Sequence, residues 1–369
     1  MNADLHYLGL TLRTASPAVR ERLRCDESTQ WSVLVDLQDF ASERMVLSTC
    51  ERFEMYASGL HQDSANWVSR LGELFEADEA SLQSQIRVMH GDDVMWHLFR
   101  VAGGLDSRLI GEPHILGQVR HSFLQALECG TVGPILSAMG RAAIFTGRRI
   151  RRETPIHAAA RSSATLAVDW VRKKLGSLGG RTVLLVGTGR LATDVAGCLA
   201  VQRSGKILVV GRNLERAEEV ANNVGGEGLT IHQLVDGIRR ADAIITCTAS
   251  PTFLVDRRTM GDGPGPLAIV DLGVPRNVDP AVSTIEGVTL CHLDDLADDA
   301  ATSQEWIAAA EGIVSQEVRR THDWLRARAV APAISALIQA SRNSTAAGSR
   351  ESRQSLHFCI RHLKEAVAA

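Results

Sequence analysis

Short alternations of apolar and polar residues dominate the first third of the chain. "LHYLGLTLRT" (5–14) alternates in the manner of a half-buried strand. The charged "AVRERLRC" that follows reads as helix, and Val46, Leu47, Met55 and Tyr56 mark a strand pair around "VLSTCERFEMYA" (46–57). Trp67, Leu71 and Leu74 in "SANWVSRLGELFEA" recur at helical spacing, and "SQIRVMHG" reads as a short strand. The order strand, helix, strand, strand, helix, strand predicts a small α+β sandwich of the ferredoxin-like kind. Helices follow over "MWHLFRVAGGL", "ILGQVRHSFLQALECG" and "GPILSAMGRAAIFTGRRIRRE".

From about residue 160 the pattern changes. "RTVLLVGTGRLATDVAGCLA" reads as strand, glycine turn and helix, "KILVVGRN" as a strand, and "LERAEEVANNVG" as a helix closed by Gly225. "ADAIITCTA", "LAIVDLGVP" and "VTLCHLDDL" are further apolar strands. Such alternation predicts a doubly wound parallel sheet. Beyond about residue 300 the pattern is all helical. Trp306, Ile307, Ala310, Ile313, Val314 and Leu325 make one long amphipathic helix. "APAISALIQASR" and "SLHFCIRHLKEAVA" read as two shorter helices joined by the Ser/Gly-rich "NSTAAGSRES". Helices that short have no core of their own and are expected to pack on something else, such as a partner chain.

At 369 residues, two or three domains are expected, and 45% hydrophobic with 22% charged residues suits a soluble globular chain. The amino terminus carries no basic segment followed by an apolar run, and no stretch stays apolar long enough to span a bilayer. Seven scattered cysteines without a CxxC argue against a disulfide framework or a zinc site, and for a reducing cytoplasm. A net charge of −3 does not favour nucleic acid, yet "GRRIRRET" (147–154) packs Arg148, Arg149, Arg151 and Arg152 together. That run reads either as a solvated helix face or as a phosphate contact.

Two features carry chemistry. Gly187-Thr188-Gly189-Arg190-Leu191-Ala192 follows the strand "VLLV" and opens a helix, the setting that a dinucleotide fingerprint requires. The next strand ends at Gly211-Arg212, and an arginine there suits the 2′-phosphate of NADP rather than a bare ribose. Cys50 lies among Thr49, Glu51 and Arg52, odd company for a packing residue. A thiolate beside a hydride donor suggests capture of an acyl group as thioester and its reduction to aldehyde. Arg52 favours the thiolate and Glu51 opposes it, so nucleophile and core thiol both stay open on the residues alone.

"LSTCERFEMYA", "HLFRVAGGLDSRLIGEPHILGQVR", "RRETPIHAAARSS" and "VDLGVPRNVDP" resemble, in order and spacing, the signature segments of the glutamyl-tRNA reductase family. The resemblance runs from about residue 5 to 330. It implies NADPH-dependent reduction of glutamyl-tRNA to glutamate-1-semialdehyde, the committed step toward 5-aminolevulinate and tetrapyrroles. Cys50 matches the nucleophile and His97 the family's activity-linked histidine, able to take the thiol proton or assist the leaving 3′-hydroxyl. Thr49, Glu51, Arg52, Ser107, Glu112, Pro113, His114 and Gln118 fall on the substrate pocket, with Arg52 suited to a glutamate carboxylate. Residues 187–192 match the NADPH loop, and no metal is implied. The implied partners are charged tRNA, with tRNA-Glu foremost, a second copy of the chain, and glutamate-1-semialdehyde aminomutase as a channelling partner.

The implied organisation is an α/β multidomain chain. An α+β, ferredoxin-like catalytic domain covers 1–155, an NADPH-binding Rossmann domain 156–300, and a spinal helix with a short C-terminal helical dimerisation segment 301–369. Departures from the family are Glu51 in place of asparagine, His114 in place of glutamine, Leu12 in place of a frequent histidine, and a shorter segment after Val330. Strand alternation around Cys50 would place Glu51 on the opposite side from Cys50 and Arg52, paired with an arginine such as Arg52 or Arg108. Another acyl donor, or a non-catalytic tRNA- or partner-binding role, are the alternatives.

Overall fold

The computed structural model describes residues 4–61, 64–157, 161–261, 267–296 and 304–344. They divide into two compact units, one of residues 4–20, 25–61, 64–157 and 304–344, the other of 21–24, 161–261 and 267–296. In the first unit, β1 (Leu5–Thr11) leads through α1 (Pro17–Arg22) and α2 (Glu27–Asp36) to β2 (Ala41–Ser48) and β3 (Arg52–Leu60). Then come α3 (Ser64–Leu74), α4 (Glu79–Gln85) and β4 (Arg87–His90). The four strands are antiparallel in the order β2-β3-β1-β4, the ferredoxin-like arrangement expected from the pattern. Helix α2 was absent from the pattern reading. Its start is marked by Asp26, whose carboxylate accepts from the Thr29 amide at 2.8 Å.

β3 is buried along nearly its whole length because both of its faces are covered. Phe53 turns one way, edge-on to Phe75. Arg52, Glu54 and Tyr56 alternate onto the other face, where Tyr56 meets Tyr7 and the ring of His97. His97 belongs to α5 (Asp92–Ala102), which is followed by α6 (Ile115–Glu128) and α7 (Pro134–Glu153). Glu43 of β2 accepts from the amides of Ile135 and Leu136, so its negative charge sits on the N-terminus of α7.

In the second unit α8 (Ser163–Leu175) precedes β5 (Thr182–Val186), α9 (Arg190–Val201), β6 (Lys206–Gly211), α10 (Leu214–Asn222) and β7 (Glu227–Thr230). α11 (Leu234–Arg240), β8 (Ala243–Thr246), α12 (Arg257–Met260), β9 (Leu267–Asp271) and β10 (Val288–His292) complete it. All six strands are parallel in the order β10-β9-β8-β5-β6-β7, so the strand order reverses between β5 and β8. That switch point is where a doubly wound sheet holds its ligand. The short β7 and helix α8 lie outside the pattern reading.

The last described element, α13 (Gln304–Ser344), belongs to the first unit. It corrects one expectation. "APAISALIQASR" is not a separate helix, because the chain continues helical through Pro332. A proline removes one hydrogen bond from such a helix without stopping it where the flanking turns persist. The expected final helix lies outside the described residues. Among the described residues no helix is long and apolar enough to cross a membrane.

Candidate active site

Cys50 occupies the tight connection between β2 and β3, where Ser48 opposite Phe53 is the last paired position. The Thr49 amide donates to the Arg52 carbonyl at 2.8 Å, and the Glu51 amide donates to the Thr49 hydroxyl at 3.1 Å. Arg20 donates to the Cys50 carbonyl at 3.1 Å, and the Leu12 amide to the Glu51 carbonyl at 2.8 Å. The backbone around the half-buried thiol is therefore held from several sides.

Two residues on, Arg52 enters the interior, with its side chain 1% exposed. Nη1 donates to Glu54 at 2.8 Å and to the Asp106 carboxylate at 3.3 Å, and Nη2 donates to the Asp106 carbonyl at 2.8 Å. Burial works against its charge, but Glu54 and Asp106, with Tyr56 and Glu51, outweigh it and raise its pKa. The arginine expected to grip a substrate carboxylate thus spends both terminal nitrogens inside the protein. Its Nε is buried and without a hydrogen-bond partner among the described residues.

Glu54 is the hub. Fully buried, it accepts from Arg52, from Tyr56 at 2.6 Å, from Tyr7 at 3.4 Å and from His97 Nε2 at 2.9 Å. Burial alone would raise its pKa, yet Arg52, His97 and Tyr56 together hold the carboxyl down at about 2. Burial, reinforced by Glu54, pushes both tyrosines far above their ordinary value, so they remain donors. Because a carboxylate only accepts, the bridging proton of the His97 contact lies on Nε2, and in the neutral ring Nδ1 is left as the accepting nitrogen. Gly9 stands opposite Glu54 on β1, and any Cβ there would lie 2.6 Å from the Tyr7 hydroxyl.

The loop between α5 and α6 supplies the remaining groups. Gly104 has φ +74°, and its carbonyl accepts from the Gly111 amide at 2.9 Å, which pinches residues 104–111 into a closed loop. This loop presents Asp106, Ser107, Arg108 and Glu112. Arg108 donates to the Glu51 carboxylate through its backbone amide at 3.2 Å and through Nε at 3.5 Å. Cys50 and Glu51 lie in the turn rather than in a strand, so alternation does not orient Glu51. Its carboxylate turns toward this loop. There burial, with Glu51 reinforcing it, pushes the Glu112 carboxyl up to about 7. Pro113 is exposed, with its carbonyl bound by Arg151, while His114 immediately before α6 and Gln118 one turn in are half-buried.

Glu54, His97 and Asp106 bring ligand atoms within 4.8 Å of one another, the only such trio among the described residues. A cation there would meet the Arg52 guanidinium, which already bonds both carboxylates. The arrangement is a proton and ion-pair network rather than a metal cradle.

In the second unit Gly187 has φ +137°, and a Cβ on it would approach the Cys247 carbonyl to 2.9 Å across the switch point. Gly189 caps the 12-residue α9, and a Cβ there would meet nothing within 4 Å, which leaves room for a pyrophosphate against the helix amides. Thr188, Arg190 and Leu191 line this turn, Ala192 is buried beneath it, and Arg212 stands exposed just past β6. These residues fit a nicotinamide dinucleotide.

The N-terminal domain family of glutamyl-tRNAGlu reductase matches residues 8–154. The shikimate/quinate 5-dehydrogenase family matches residues 169–298. A glutamyl-tRNA reductase of Geobacillus thermodenitrificans (strain NG80-2) is 34% identical over 371 residues, 97% of this chain and 81% of that protein. This chain belongs to the glutamyl-tRNA reductase family. A family member from Archaeoglobus fulgidus is 34% identical over 304 residues, 80% of this chain and 68% of its own length. The solved glutamyl-tRNA reductase of Methanopyrus kandleri is 28% identical, covering 98% of this chain and 94% of its own at a TM-score of 0.49. The second unit is accordingly a dehydrogenase-type domain for a nicotinamide cofactor.

Glu54, Asp106, Tyr7 and Tyr56 were not among the sequence-derived candidates. The one signal for Glu54 was an acid inside the otherwise buried "RFEMYA" strand. Replacing Glu54 by glutamine should strand Arg52 and cost about 3–5 kcal/mol of stability. Urea unfolding of purified Glu54→Gln checks this, and a loss under about 1 kcal/mol would show that Asp106 alone compensates the guanidinium.

Proposed function

We propose that this chain is an NADPH-dependent reductase that converts glutamyl-tRNA to glutamate-1-semialdehyde through a thioester on Cys50, in the tetrapyrrole pathway. The observation that supports it most is the half-buried Cys50 on a firmly held turn two residues before Arg52 of the Arg52–Glu54–His97 network, in a family member that also carries a complete dinucleotide turn. Cys50 is the nucleophile. His97, with Nε2 committed to Glu54, takes the thiol proton at Nδ1. Thr49 holds the turn, and Arg52, Ser107, Glu112, Pro113, His114 and Gln118 shape the acyl pocket. When bound at residues 187–192, the nicotinamide supplies the hydride that reduces the thioester, and Arg212 contacts the 2′-phosphate.

Glutamate is the favoured acyl group because Arg108 pairs with Glu51 and tempers its charge beside the nucleophile. Residues 1–155 serve as catalytic domain, 156–300 as cofactor domain and 301–369 as spinal helix and dimerisation segment. A homodimer working with glutamate-1-semialdehyde aminomutase in a cytoplasmic setting completes the reading. The tRNA meets the outer face of α7. Arg149 and Arg151 point inward, to Glu317 at 2.7 Å and to the Pro113 carbonyl. Arg141, Phe145, Arg148 and Arg152 form the exposed stripe. Three cations and an aromatic ring at helical spacing suit a phosphate backbone with unstacked bases.

Cys50→Ser should abolish semialdehyde formation from charged tRNA-Glu and remove any acyl-enzyme seen by mass spectrometry without NADPH. Persistent reduction in that variant would sink the thioester route. Arg212→Ala should weaken NADPH by about 1.5–3 kcal/mol and narrow its advantage over NADH. An unchanged preference would assign the phosphate to another residue. Arg148→Ala with Arg152→Ala should weaken charged and uncharged tRNA alike and flatten the salt slope by about 0.7–0.9 per lost contact. A slope that does not change returns the stripe to a solvated face.

A further inference from the structure

The start of β1 carries a pair of ring nitrogens that the acyl chemistry does not use. His6 stands directly opposite His90 in the antiparallel β1–β4 ladder, and their Nδ1 atoms lie 3.0 Å apart. Directly opposed residues of an antiparallel pair share one face of the sheet and bring their side chains together. Alternation along β1 sends Tyr7 toward Glu54 and His6 to the opposite face. The pair is therefore separate from the Arg52–Glu54–His97 network.

What singles the pair out is the way His6 is held. Its Nε2 meets the Asp4 carboxylate at 2.6 Å, and the other carboxylate oxygen accepts from the Gly59 amide at 2.9 Å. A carboxylate only accepts, so the ring proton of neutral His6 lies on Nε2, and its Nδ1 turns a lone pair toward His90. His90 is exposed on the edge strand β4. It either supplies a proton from its own Nδ1 or loses that proton and shares a cation with His6 in its place. A carboxylate behind the imidazole is the outer support that a metal-bound histidine ordinarily has.

The spacing selects the ligand. Two nitrogens 3.0 Å apart, each about 2.0–2.1 Å from a metal ion, subtend about 90° at it, the angle of a tetragonal or octahedral centre rather than a tetrahedral one. Imidazole suits copper and nickel, whereas magnesium and calcium take oxygen ligands. Beside the pair lies a recess lined by Ala57, Leu60, Trp67 and Val88, so water completes the coordination from the open side. Asp4 adds a negative charge, and among the described residues no arginine or lysine is paired with it. The Glu54–His97–Asp106 trio is the reverse case, because its carboxylates already hold the Arg52 guanidinium.

We propose that His6 and His90 are the protein ligands of a site for a divalent copper or nickel ion at the β1–β4 edge of the first unit, and that Asp4 is the positioning residue that presents His6 to it. Binding releases at most one proton, from His90 Nδ1. The ion ties the edge strand β4 to β1 where the Gly91 amide donates to the Leu5 carbonyl at 2.9 Å, immediately before α5 begins. It takes no part in the reduction, so the site does not rest on the thioester reading.

The test uses the full-length, untagged protein and Ni2+ alone, followed by calorimetry, with Mg2+ in parallel. Wild type should take up Ni2+ and give no response to Mg2+. In protein isotope-labelled in its 12 histidine rings, Ni2+ should broaden the resonances of His6 and His90 before the others. Asp4→Ala, which frees the His6 ring, should weaken Ni2+ by about 10- to 100-fold, and His90→Gln should weaken it at least as much. The glutamine amide still offers His6 a donor, so metal-free His90→Gln should unfold at the wild-type midpoint. No uptake by wild type, an equal response to Mg2+, broadening of other histidines first, or undiminished uptake by His90→Gln would each overturn the site. Unchanged affinity in Asp4→Ala would overturn the role given to Asp4.

Discussion

A guanidinium without water is the constraint around which the first unit is organised. Moving Arg52 from solvent to a 1% exposed site costs several kcal/mol unless its hydrogen-bonding directions are filled. Glu54 and Asp106 meet both terminal nitrogens, but Glu54 is itself fully buried and brings the same demand one step further. Tyr56, Tyr7 and His97 answer that second demand. Tyr7 reaches Glu54 only because position 9 has no side chain. Asp106 reaches Arg52 only because the Gly104–Gly111 contact folds its loop back on itself. The loop that neutralises the arginine also carries Ser107, Arg108 and Glu112, so satisfying one ion pair also brings Arg108 to Glu51 of the Cys50 turn.

This dependence explains what could be read from the chain and what could not. Periodicity gave both sheets, because a strand covered on two faces or alternating on one leaves its mark in a few consecutive residues. It also placed Cys50 at a strand junction and the glycine turn at the start of a helix. Glu54 escaped because an acid between Phe53 and Met55 looks like the solvent side of an ordinary strand. Its burial is caused by His97 and Asp106, more than forty residues away, and only the fold brings them together. Helix α2 escaped for a different reason: its start depends on Asp26 capping rather than on an apolar stripe. The continuation of α13 through Pro332 shows the converse, a local breaker overruled by the turns on either side.

The arginine run of α7 illustrates how counting charges misleads. Four arginines in five positions invite one interpretation, yet a helix distributes them around its axis. Arg149 faces α13 and pairs with Glu317, which is 5% exposed, while Arg100 of α5 reaches Glu311 on the same helix. These contacts fasten α13 to α5 and α7 of the first unit and are structural. Arg148 and Arg152 continue outward, in line with Arg141 and Phe145. Half of the run is therefore architecture, and only the exposed half has charge to offer a phosphate.

The same unit holds two glutamates in opposite states, and the environment alone separates them. Glu54 is the more deeply buried, so desolvation by itself would make it the more reluctant to ionise. It is nevertheless held down at about 2 because an arginine, a histidine and a tyrosine all favour its charged form. Glu112 is less enclosed and has arginines within range, yet it rises to about 7, because burial disfavours its charge and the Glu51 carboxylate adds to that, against the pull of Arg52, Ser107 and Arg108. Burial opposes the charge in both cases, and the difference is that the groups around Glu54 outweigh it whereas those around Glu112 do not. Where the resemblance leads to an expectation of asparagine, the acid at position 51 adds a negative neighbour to Glu112 and a charge next to Cys50. The Arg108 contact is what makes that addition tolerable, because it stabilises the charge on Glu51 without removing it.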